Sequence, residues 1–121
     1  MIQALKRTEA QTKEPICYII SGDLAHIGPK FTPGQRLDER LLTHSYRQDQ
    51  TLLRHTEAVD LDGYFRIIAG EADARNICGL PPTFATLQAT HPRVGKVLHY
   101  DRYVHPQGHE SVSFASVAFY R

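Results

Sequence analysis

The chain has 121 residues, 41% of them apolar and 22% charged, with 14 basic and 13 acidic side chains and a net charge of +1. One ordinary globular domain fits that length and composition, which excludes disorder over the whole chain and leaves no electrostatic pull toward nucleic acid or anionic lipid. No apolar stretch approaches the roughly 18 residues of a membrane span, and the polar start carries no signal-peptide core, so the expectation is a cytoplasmic protein with no nucleic-acid or membrane partner.

Residues 1–14 read as a leader or the remnant of a helix, with Ile2 and Leu5 the only large aliphatic side chains after Met1. Ile16-Cys17-Tyr18-Ile19-Ile20 is a continuous apolar run of the kind that forms a strand buried on both faces, which would place Cys17 in the core. The run stops at Ser21-Gly22-Asp23. Ligands in open α/β sheets sit beyond the carboxyl ends of strands, so Ser21–His26 falls where chemistry is expected. Gly28–Gly34 is a loop by its glycines and prolines.

A helix is predicted from about Leu37 to Arg47, on a stripe of Leu37, Leu41, Leu42 and Tyr46, with a continuation through Leu52 and Leu53. Asp60 reads as an N-cap before Leu61, Tyr64, Phe65 and Ile68, which repeat at helical spacing up to Gly70. Pro81 and Pro82 suit the first turn of a helix that begins after Gly79. Two strands follow, about Lys96–Tyr103 and Ser111–Tyr120, joined by a turn at Pro106-Gln107-Gly108. The fold class is α/β: a mixed β-sheet flanked by helices.

Cys78 precedes a predicted helix N-terminus, where the partial positive charge favours a thiolate; a buried, inert cysteine is the plainer reading. Asp23 and His26 are three residues apart. If a helical turn begins at Asp23, the two side chains meet and form a base with its orienting carboxylate. Otherwise Asp23 caps a helix and His26 fills a wall. Ser21 is a candidate hydrogen-bonding residue of the same turn, and Arg75 and Asn76 are candidates for the mouth of a substrate pocket. The pair His105 and His109 has zinc-like spacing but flanks a turn, which points to an exposed position. His44 and His55 read as surface residues.

Three segments together resemble the MEMO family, which includes the AmmeMemoRadiSam system protein B and is related to the class III extradiol dioxygenases. Ile19–Gly28 resembles the family's strand and S-x-D-x-x-H-x-G turn. Asn76–Pro82 is similar to its I-C-G segment, and Ser111–Ala115 to its closing S-V-S-Y-A strand, with Phe114 in place of tyrosine.

The resemblance covers about residues 16–121 and implies that 15–121 is the C-terminal half of the fold. It implies Cys78 as a metal ligand, His26 as acid/base with Asp23 beside it, and Fe(II) or another divalent metal as cofactor. The family's two metal-binding histidines belong to its N-terminal half. The expectation is therefore a dioxygenase-type, non-heme-iron oxidoreductase with an incomplete metal site. It would be inactive alone and completed by self-association or by a separate chain supplying the other half. A non-catalytic module binding a small molecule or peptide, or an inactive fragment, is the alternative.

Overall fold

A computed structural model describes residues 1–121. In chain order the elements are α1 (Ile2–Gln11), β1 (His26–Ile27), α2 (Glu39–Glu57), α3 (Leu61–Gly70), α4 (Leu80–Thr90), β2 (Val94–Val104) and β3 (Ser111–Tyr120). Four helices and a three-stranded antiparallel sheet of order β1-β3-β2 make a mixed α/β fold. No helix is long and apolar enough to cross a membrane.

The helices start where short polar side chains satisfy their free N–H groups. Asp38 accepts from the Leu41 N–H at 2.9 Å, with Glu39 in the first turn and Arg54 and His55 in the last, all favourable to the α2 dipole. Asp60 accepts from the Gly63 N–H at 2.9 Å and sits 2.8 Å from His55 Nδ1. These contacts hold the Asp60 carboxyl below its ordinary range, the Gly63 bond contributing most. His55 is thus tied to the cap of α3 rather than free on the surface. Pro81 and Pro82 open α4, which closes at His91 in the left-handed region.

The core is a cluster of Ala25, Ile27, Leu52, Tyr64, Ile68 and Ile77, packed against Leu37, Leu41, Leu42, Ile67 and Leu80. Residues 2–11 are a full helix, tied down by an Arg121–Glu9 ion pair at 2.5 Å and a Tyr18 hydroxyl donating to Glu9 at 3.2 Å.

The run Ile16–Ile20 is not a strand. It lies beside β3 with no backbone hydrogen bond. Tyr18 and Ile20 are half-buried, while Cys17 is exposed and Ile19 is 88% exposed. Cys17 is therefore not a core residue. A run apolar on both faces needs cover on both; here only the side facing α4 and β3 is covered.

A buried polar network joins α2 to the sheet. The Arg75 guanidinium pairs with Asp49 at 2.5 Å and with Glu71 at 2.7 and 3.0 Å, and the Tyr100 hydroxyl donates to Asp49 Oδ2 at 2.9 Å. Burial first, and then the Asp49 charge, push the Tyr100 phenol well above its ordinary value. A raised folded value means stability that is full below the unfolded tyrosine range and lost as pH rises beyond it. Urea midpoints should hold up to roughly pH 10 and fall above it. Tyr100→Phe should flatten that alkaline limb, and an unchanged limb in the variant would refute the assignment.

Candidate functional site

Two glycines bring the site together. A Cβ on Gly22 would lie 2.6 Å from the Gly79 Cα, and one on Gly79 would lie 2.6 Å from the Asp23 carbonyl oxygen. Only glycines allow this approach of the segment before β1 to the start of α4. The Gly79 N–H then donates to the Asp23 carbonyl at 2.9 Å, and the Asp23 N–H donates to Cys78 Sγ at 3.1 Å.

No helical turn joins Asp23 to His26. The segment is extended with a kink. The Leu24 N–H donates to the Ser113 carbonyl at 2.8 Å, the Ala25 N–H to Ser113 Oγ at 2.9 Å, and the Ser113 N–H to the Ala25 carbonyl at 3.0 Å. Two residues thus face one residue of β3, as in a β-bulge, which re-aims side chains at sheet edges. Asp23 Oδ2 lies 3.8 Å from His26 Nε2. Donor atoms of Asp23, His26 and Cys78 all lie within 4.8 Å of one another, the only such group of three in the chain.

The imidazole is held on its other edge. Nδ1 lies 3.0 Å from the Asn76 carbonyl and 3.2 Å from the Leu24 carbonyl. Both are acceptors only, so Nδ1 carries the proton, and in the neutral ring Nε2 presents a bare lone pair. That lone pair faces a carboxylate oxygen at a distance too long for a hydrogen bond. Two acceptors facing each other in this way are reconciled by a proton or by a cation. Phe31 packs edge-on against the ring, with centroids 5.1 Å apart.

The remaining sequence-predicted residues fall differently. Ser21 is exposed. Arg75 is corrected from pocket mouth to interior: it is 3% exposed, and its guanidinium is taken up by Asp49 and Glu71. Its buried partner Asp49, 0% exposed, is the residue that sequence reasoning passed over, because an aspartate in a polar helix gives no sign of burial. Asn76 does lie at the site, but it acts on the protein itself, its Nδ2 donating to the His26 carbonyl at 3.0 Å. His105 and His109 sit at the β2–β3 turn with stacked rings, centroids 4.6 Å apart, and no third donor joins them.

Beside Asp23 a cavity of about 380 Å³ opens between the Ile16–Ile20 run and β3. Its walls include Ile20, Leu24, Leu53, Val117 and Phe119, with Tyr64 and Thr83 adding hydroxyls. Burial, first among the causes, raises the Tyr64 phenol above its ordinary value, which keeps it a neutral donor.

Among known proteins, the family model described as Memo-like protein matches residues 3–118. No curated protein and no solved structure matches the chain.

Proposed function

The chain belongs to the Memo-like protein family, and from that premise we propose that it is a metal-binding protein of the dioxygenase-related type, with Asp23, His26 and Cys78 forming one wall of the metal site. The observation that carries this reading is the convergence of their donor atoms within 4.8 Å. The donor chemistry fits a metal: one carboxylate oxygen, one imidazole nitrogen with its lone pair directed inward, and one sulfur. Imidazole and thiolate suit iron, copper or zinc better than magnesium or calcium.

A bound Fe(II) or similar divalent ion would supply Lewis-acid and one-electron chemistry. The protein's own contribution is to hold His26 Nε2 as a proton acceptor, to set Asp23 beside it, and to offer the Cys78 sulfur. An extradiol site needs two histidines and one carboxylate around open positions. This chain offers one histidine, one carboxylate and one thiol. We therefore place the remaining ligands outside these 121 residues, and assign no ring cleavage to the 121 residues by themselves.

Zn(II) or Fe(II) titration followed by calorimetry and metal analysis tests the site. The expected result is one ion per chain, with Cys78→Ala weakening binding by at least about tenfold, the lower bound for loss of even an outer-shell partner. Equal affinity in the variant would remove Cys78 from the site. Oxygen uptake with catechols should show no turnover by the isolated chain, and robust turnover would overturn the half-site reading.

The cavity beside Asp23 favours a second reading, a non-catalytic module for a small apolar ligand or peptide. Under that reading no stoichiometric metal binds, and ligand affinity is untouched by Cys78→Ala.

A further inference from the structure

The backbone around Arg75 is under strain. Ala72, Asp73 and Asn76 all have φ near +50°, a region that costs a non-glycine residue energy and persists only where the surroundings enforce it. The same loop supplies two carbonyls to the site. The Arg75 carbonyl accepts the His26 N–H at 2.7 Å, and the Asn76 carbonyl takes the proton of His26 Nδ1. The Arg75 side chain of that loop is buried and is fixed by Asp49 of α2 and by Glu71. The Arg75 Nη1 also lies 3.3 Å from the Ser45 carbonyl, so α2 grips the guanidinium at two successive turns.

We propose that Arg75 is the positioning residue of the site: its buried ion pairs hold the strained 72–76 loop so that His26 keeps one tautomer, with Nδ1 protonated and Nε2 bare. It touches neither ligand nor metal. It acts through two backbone carbonyls on the single atom that must stay unprotonated for His26 to accept a proton or a cation. An imidazole free to exchange tautomers would spend part of its time with a hydrogen in the way. The metal consequence rests on the proposed metal-binding reading; the tautomer assignment does not.

The test uses the full chain. Replacing both partners of the pair with apolar residues of similar size, Asp49→Leu with Arg75→Met, removes the clamp while filling its space. Long-range nitrogen–proton NMR of the imidazoles reports the His26 tautomer directly. The wild type should show Nδ1–H alone. The double variant should show both tautomers, with Zn(II) affinity lowered about 10- to 100-fold, the usual cost of losing an outer-shell support.

Arg75→Lys, which keeps the charge but not the forked geometry, should fall between the two, and it decides the matter if the double variant does not fold. Leu87→Ala removes a buried side chain of α4 outside the core cluster that holds Ala25 and Ile77, and should leave the tautomer unchanged. A folded variant without the clamp that retains a single Nδ1–H tautomer and wild-type Zn(II) affinity overturns the proposal. If the wild type binds no Zn(II) but the tautomers still separate, the metal reading falls and the positioning role stands.

Discussion

Asp49→Ala is expected to destabilise the protein by about 3–5 kcal/mol, the cost of stripping one partner from a buried ion pair. Asp49 is fully buried and Arg75 is 3% exposed, so water cannot take the place of the lost carboxylate. The variant leaves the Arg75 Nη1 without its carboxylate and the Tyr100 hydroxyl without its acceptor. Three separate parts of the molecule lose their common anchor: α2, the 72–76 loop and β2. Melting temperature should fall on the order of 10 °C. Replacing both charges with apolar residues should recover part of that loss, because the single variant leaves a buried guanidinium with Glu71 as its one remaining carboxylate. A single variant melting within a degree of wild type would mean that the pair is solvated after all.

Gly79→Ala is expected to cost less stability but to cut deeper into the site. Its backbone dihedrals, φ −72° and ψ −9°, suit any residue, so the damage is purely steric. The new methyl would meet the Asp23 carbonyl at 2.6 Å, a backbone atom that cannot swing aside. Either α4 or the segment before β1 must move, at about 1–3 kcal/mol as for other overpacked positions. Any such movement breaks the Gly79 N–H bond to Asp23 and separates Cys78 Sγ from the Asp23 N–H. Zn(II) affinity should drop by at least as much as in Cys78→Ala, with a far smaller loss of stability than in Asp49→Ala. Gly70→Ala, where an added Cβ meets nothing within 4 Å, is the matched control and should leave binding unchanged. Wild-type metal affinity in Gly79→Ala would show that the close approach is dispensable.

What the sequence determined alone was whatever is decided locally. Asp60 four residues before Tyr64, prolines at 81 and 82 and the Pro-Gln-Gly turn set their helices and hairpin through contacts within a few residues, and those boundaries were legible. So was the α/β class, since helical and strand periodicities differ. The MEMO resemblance pointed to Asp23, His26 and Cys78, whose side chains lie within one cluster. Only the tertiary structure decided how they meet: by a bulge opposite Ser113 and a glycine-to-glycine contact across 57 positions, not by a helical turn. It alone also moved Arg75 inside, since a guanidinium is buried only where carboxylates await it, and these lie 26 residues away in α2 and four residues away in its own loop. The run Ile16–Ile20 failed as a strand for the same reason. Apolar character expresses a demand for burial, and whether a neighbouring surface meets it is settled by long-range packing that no local pattern encodes.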